Sequence, residues 1–188
     1  MTTKQSRRAV FLDRDGVLNR SVVRQGKPFP PADLAAFEIY PDAGEACRRL
    51  KAEGLLLVVA TNQPDVGRGL QSRELVEAMH RELRSALPLD RIEVCFDPDD
   101  ATYHKPAPGM LLRAADELGI DLRRSYMVGD RWRDVDCGRA AGCTTVFIDR
   151  GYEEPLRSPA HHTVHELLEA AEWILERESG ARVAEERA

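Results

Sequence analysis

Phe11-Leu12-Asp13-Arg14-Asp15-Gly16 is the stretch on which the reading of this chain turns. Upstream of it, Ala9-Val10-Phe11-Leu12 is an unbroken apolar run, as expected of a strand buried on both faces. That strand ends at Asp13. Two carboxylates spaced as Asp13 and Asp15 at a strand end can both face one pocket. Taken alone, Asp and Gly also suit a plain turn leaving a strand.

Outward from this segment, apolar runs alternate with stretches of helical period. Residues 42–53 carry an apolar stripe at Ala43, Ala46, Cys47 and Leu50, closed by Gly54. Residues 55–60 are the next buried strand, followed by a polar, Gly-rich turn over 61–69. Ser72 is placed to cap a helix reaching about Leu87. A short strand is expected at 92–96, an Asp- and Pro-rich loop at 97–108, and a helix at 109–118 stopped by Gly119. A strand at 125–128 delivers Gly129-Asp130, a helix at 133–141 ends at Gly142, and a strand follows at 144–148. Thr163 is expected to cap a last helix to about Arg177, with 178–188 a frayed, charged tail.

Strands separated by helices imply right-handed crossovers and a parallel sheet covered on both faces. The fold class expected is α/β, a Rossmann-like three-layer αβα sandwich forming one domain over 1–188. Residues 14–40, with Pro28, Pro30 and Pro31, break the alternation and read as a flap-like excursion over a site.

Open parallel sheets bind ligands beyond the carboxyl ends of their strands. Asp13, Asp15, Thr61, Asn62, Gln63 and Asp130 stand at such ends, and the loop residue Lys105 is within reach of the same rim. Converging carboxylates repel unless a cation neutralises them, and an all-oxygen set suits Mg2+. One carboxylate could then attack phosphorus while its neighbour exchanges protons with the leaving group and water. Lys105 and Thr61 would supply charge and a hydroxyl to the transferring group.

Phe11 to Gly16, Ala60-Thr61-Asn62-Gln63, His104-Lys105-Pro106 and Val128-Gly129-Asp130 resemble, in order and spacing, the four motifs of the haloacid dehalogenase (HAD) superfamily. The resemblance covers most of the chain, from about Val10 to Asp149. It is closest to subfamily IIIA, the small-capped branch holding heptose bisphosphate and histidinol-phosphate phosphatases. It implies a Mg2+-dependent phosphatase with Asp13 as nucleophile, Asp15 as acid and base, and Asp130 as metal ligand with Asp13 and the Asp15 carbonyl. It places Thr61, Asn62 and Lys105 at the phosphate. A sugar (heptose) bisphosphate is the expected substrate, with histidinol phosphate or another small metabolite as the alternative. A phosphotransferase or a non-catalytic phosphate-binding module stands further off.

Two departures from that branch stand out. Only Cys95 occupies a position of its zinc loop, and one thiolate cannot hold a four-coordinate zinc, so no zinc is expected. His104 replaces an Arg that contacts substrate in the branch. His104 therefore reads as a substrate contact or an exposed loop residue. Arg68 reads as a phosphate or hydroxyl ligand or a solvated arginine, and Gln63 as a substrate ligand or a brace of the turn. Asp134 is either a further metal-site carboxylate or a first-turn helix residue favoured by the macrodipole. His161, His162 and His165 read as surface residues, and Trp132 and Trp173 as packing residues.

The formal net charge of −5 leaves no basic excess to release phosphate counterions, which argues against a nucleic-acid binder. No apolar run is long enough to cross a bilayer. The four cysteines are scattered, as in a reduced, cytoplasmic protein. A monomer binding a small phosphorylated molecule is expected.

Overall fold

The central strand β1 (Ala9–Leu12) is fully buried and pairs in parallel with a neighbour on each side. The computed structural model, which describes residues 6–185, shows why. Alternate side chains of β1 feed two separate cores: Val10 and Leu12 enter one, Ala9 and Phe11 the other. An apolar run without polar interruptions is what a strand between two layers requires.

An excursion over 14–40 follows β1 and contains a two-stranded antiparallel hairpin, β2 (Val22–Arg24) and β3 (Lys27–Phe29). The chain then builds α1 (Ala43–Ala52), β4 (Leu56–Asn62), a single turn α2 (Pro64–Gly67), α3 (Arg73–Ala86) and β5 (Arg91–Cys95). It continues through α4 (Gly109–Leu118), β6 (Tyr126–Gly129), α5 (Trp132–Ala141), β7 (Thr144–Ile148), β8 (His162–Val164) and α6 (Leu167–Glu185). The six-stranded sheet has the order β5-β4-β1-β6-β7-β8, with each pairing parallel. Helices α1, α3 and α6 supply one core and α4 and α5 the other, giving the three-layer αβα sandwich. The winding direction reverses between β1 and β6, so a crevice opens at their carboxyl ends.

The helix signals perform as expected. Ser72 Oγ accepts from Leu75 N at 3.2 Å to cap α3, while Gly119 and Gly142 end α4 and α5 in the left-handed region.

The C-terminal region is corrected. Thr163 does not cap a helix; it lies in β8, paired with Phe147 of β7. Three residues are too few to show a strand period in sequence. Nor does the chain fray at 178. Glu178 is buried, accepts from the Tyr126 hydroxyl at 2.7 Å and pairs with Arg8, so α6 runs on to Glu185. The remainder of that expected tail, 186–188, lies outside the described residues.

The histidines near the C terminus are individually occupied. His161 Nδ1 accepts from Thr145 N, and His162 stacks on Trp173 with centroids 4.6 Å apart.

Candidate active site

The carboxyl ends of β1, β4 and β6 surround a cavity of about 560 Å3, within the size range of small-molecule sites. Asp13 follows β1, and its backbone N donates to Val128 O of β6 at 3.0 Å. Its Oδ1 accepts from Arg14 N at 2.8 Å and pairs with Lys105 Nζ at 2.9 Å. No hydrogen bond reaches Asp13 Oδ2 from any described residue. Lys105 also donates to Ala60 O at 2.7 Å and to Asp134 Oδ1 at 2.6 Å. All three of its protons are thereby directed, which fixes the ammonium at the base of the cavity.

Asn62 holds Lys105 in place through the loop backbone. Its Oδ1 accepts from Lys105 N at 3.0 Å and its Nδ2 donates to Lys105 O at 3.1 Å. Asn62 was expected at the phosphate; it lines the cavity, but this clamp engages both its oxygen and its amide nitrogen. Gln63 likewise braces: Nε2 donates to Asp15 Oδ2 and Thr61 Oγ1, each at 2.9 Å. With its oxygen accepting there, the Thr61 hydroxyl keeps its proton for another partner.

Asp130 is the opposite case. It is buried, and neither carboxylate oxygen has a hydrogen-bond partner. The Tyr152 hydroxyl stands beside it and pulls its carboxyl down somewhat against burial, but makes no hydrogen bond of full geometry. Gly16 packs against Asp130 so closely, at φ +83°, that a Cβ there would fall 1.7 Å from Asp130 Oδ2. Glycine is required at that position. Gly129 is similarly forced, since a Cβ would lie 2.1 Å from Asp134 Cβ.

Comparison with known proteins bears on this geometry. A HAD-hydrolase-like family model matches residues 102–170. D-glycero-D-manno-heptose-1,7-bisphosphate 7-phosphatase of Thermosynechococcus vestitus is 34% identical, over 89% of this chain and 95% of that protein. The D-glycero-beta-D-manno-heptose-1,7-bisphosphate 7-phosphatase of Escherichia coli K12 is 36% identical, over 89% and 87%. This chain belongs to the HAD-like phosphatase family. The crystal structure of D,D-heptose 1,7-bisphosphate phosphatase from B. bronchiseptica, complexed with magnesium and phosphate, superposes with a TM-score of 0.76. It is 28% identical and covers 90% of this chain and 99% of its own.

The HAD-like site carries an acidic cluster that tests the expected metal set. Oxygens of Asp13, Asp130 and Asp134 lie within 4.8 Å of one another. Burial, followed by the Asp13 and Asp134 charges, holds the Asp130 carboxyl well above its ordinary range. Burial likewise pushes Asp13 up to about 6, against the pull of Lys105. Lys105 is raised despite burial, by Asp13 and Asp134. An oxygen-only cluster with excess negative charge and an unpartnered buried carboxylate fits a hard divalent cation.

Asp134 joins Asp13 and Asp130 in the cluster; the carboxylate of Asp15, a residue expected to offer the metal only its main-chain carbonyl, lies outside it. Asp15 is taken up elsewhere, by Arg14 Nη2 at 2.8 Å, Asn19 Nδ2 at 2.9 Å and Gln63. Although burial opposes ionisation, Arg14 and these amides hold Asp15 below the usual carboxylate range. The two readings of Asp134 do not exclude each other, because its Oδ2 also accepts from Arg131 N at 3.0 Å in the first turn of α5.

The mouth is built from other residues. Lys27, Pro28, Phe29 and Pro30 of the hairpin line it, with Arg68, which leans on Asp65 at 3.4 Å. Arg131 and Arg133 line it too. His104 does not; its Nε2 lies 3.5 Å from Nη1 of Arg133, which does. The loop at 97–108 is closed by its own side chains, with Asp100 Oδ1 accepting from Thr102 N and Tyr103 N at 2.8 Å. Cys95 Sγ donates to Asp97 O at 3.3 Å within this loop.

Sequence reasoning missed Arg14, Arg131 and Arg133. Arg14 is fully buried and joins Asp15 to His80, whose Nε2 lies 3.4 Å from Arg14 Nη1. A lone charged residue between two carboxylates was the available signal.

Proposed function

We propose that this phosphatase hydrolyses a heptose 1,7-bisphosphate in a Mg2+-dependent reaction through an aspartyl-phosphate on Asp13. The observation that carries the reading is the Asp13 carboxylate. Its Oδ1 is fixed by Arg14 N and Lys105 Nζ while Oδ2 faces a cavity shared with the unpartnered Asp130. The heptose comes from the names of the relatives.

Asp13, Asp130 and Asp134 would hold the ion, with the Asp15 carbonyl beside them. Mg2+ supplies Lewis-acid stabilisation of phosphoryl charge and relieves repulsion between nucleophile and substrate. Lys105 and the Thr61 proton stabilise the transferring oxygens. Asp13 Oδ2 attacks phosphorus, and the sugar oxygen leaves with a proton from Asp15. Asp15 then takes a proton from the water that hydrolyses the phosphoaspartate. At rest Arg14 keeps Asp15 ionised, the form suited to the second half. Without the Arg14 charge the same half-buried carboxyl would bind a proton more readily, the form suited to the first half. Asn62 and Gln63 act as braces, and Arg68 as a contact at the mouth.

The reading includes a cytoplasmic monomer without zinc, nucleic acid or membrane partners. Among the described residues, no helix is long and apolar enough to cross a membrane. Phosphate release from both heptose bisphosphate anomers, histidinol phosphate and simple sugar phosphates, with and without Mg2+, tests it. The expected result is a kcat/KM highest for one heptose bisphosphate and dependent on Mg2+; preference for histidinol phosphate would overturn the substrate.

A further inference from the structure

Arg133 stands apart from the other arginines at the mouth. Arg131 is gripped by Glu154 through two hydrogen bonds of 2.7 Å, and Arg68 has Asp65. Arg133 has no carboxylate partner among the described residues, and its Nε is buried with no hydrogen bond. A buried donor lacking an acceptor is costly, and a ligand is one way to satisfy it.

What holds Arg133 is His104. The Nδ1 of His104 lies 3.2 Å from Asp97 O, which can only accept, so Nδ1 carries the proton. Nε2 then bears the lone pair, and Arg133 Nη1, which can only donate, meets it at 3.5 Å. Burial, and then the nearby cations Arg133, Lys105 and Arg68, keep the imidazole neutral against its bond to Asp97. The Trp132 ring supports the guanidinium at 5.3 Å. The imidazole is thus anchored to the 97–108 loop, and the guanidinium it orients lines the cavity that it does not reach itself. Lys27 on the hairpin adds a second cation to the same cavity.

We propose that Arg133 is the specificity residue that receives a second, non-reacting anionic group of the substrate, with His104 as the positioning residue behind it. The substrate class is a sugar carrying two phosphates, and the proposal rests on the phosphatase reading above. A fork of N–H donors suits a phosphate oxygen pair, and such charge-assisted bonds are the strong ones.

The test compares a heptose 1,7-bisphosphate with the corresponding 7-monophosphate. In Arg133→Gln, KM for the bisphosphate should rise about tenfold or more with kcat within about twofold, and the monophosphate should be unaffected. Arg133→Lys should recover part of the loss, and His104→Ala should shift the same KM less. The double variant H104R/R133Q, which returns a guanidinium from the loop side, should regain bisphosphate preference. Equal losses on both substrates, or no loss on the bisphosphate, would overturn the proposal. Calorimetry on Asp13→Asn protein, with and without Arg133→Gln, makes the same comparison without turnover. A bisphosphate-to-monophosphate affinity ratio unchanged by Arg133→Gln overturns the role of Arg133. An enzyme that hydrolyses no sugar phosphate defeats the reading of the reaction instead.

Discussion

The base of the cavity and its mouth are made by different means. Asp13, Lys105, Asp130 and Asp134 are buried at or beside strand ends, and all but Asp130 are fixed by backbone or by one another. Phe29 and Leu70 at the mouth are 42% and 74% exposed, on a hairpin and a turn outside the sheet. Chemistry is therefore set where placement follows from the parallel fold, and selectivity where the chain is irregular. Substitutions at the base should cost rate, and stability too where they unpair a buried charge, while substitutions at the mouth should move KM.

The largest effect is expected for Lys105→Met. Removing the cation that pairs with both Asp13 and Asp134 should destabilise the metal-free protein by about 3–5 kcal/mol and lower kcat at least about a hundredfold. Urea denaturation and phosphate release read the two, and a KM effect alone would erase the contrast.

A second effect lies just beneath the base, at His80. Burial, then the Arg14 and Arg84 charges, depress its pKa to about 4, well below the ordinary imidazole value. The folded protein refuses a proton that the unfolded chain accepts. Stability from this group is thus complete above about pH 6.5 and falls as pH drops toward 4, by on the order of 3 kcal/mol in all. His80→Gln, which keeps an acceptor for Arg14, should flatten that slope in urea titrations across this window.

Asp130→Asn sharpens the same side of the comparison. Mg2+ at a hundredfold excess over its Kd should stabilise the wild type by about 2.7 kcal/mol, and the variant should gain far less. Because Asp130 is unpartnered without the ion, the metal-free variant should melt no lower than the wild type. The smallest stability effect belongs to the mouth. Phe29→Ala should stay within about 0.5 kcal/mol of wild type while raising KM; an equal fall in kcat would place the hairpin in the chemistry.

The contrast also explains what the sequence disclosed. The β1 run and the residues after β4 and β6 follow from periodicity, so Asp13, Thr61 and Asp130 could be located from spacing. The tasks of Asn62 and Gln63 could not, because an amide that clamps a loop has the same spacing as one that binds phosphate. Asp134 was left open for a physical reason: one carboxylate serves both the helix turn and the acidic cluster. Arg133 and His104 meet only through the packing of α5 against the 97–108 loop, which has no local pattern. Glu178 misled because a charged run looks solvated until Arg8 and Tyr126, far away in sequence, supply its partners.

The central claim is that Asp13 carries the phosphoryl group. Phosphate release from a heptose 1,7-bisphosphate in Mg2+, measured side by side for wild type and Asp13→Asn, tests it most directly. The account expects turnover by the wild type and none above background from a variant that still melts cooperatively. Comparable turnover by Asp13→Asn, or silence from the wild type, would contradict it.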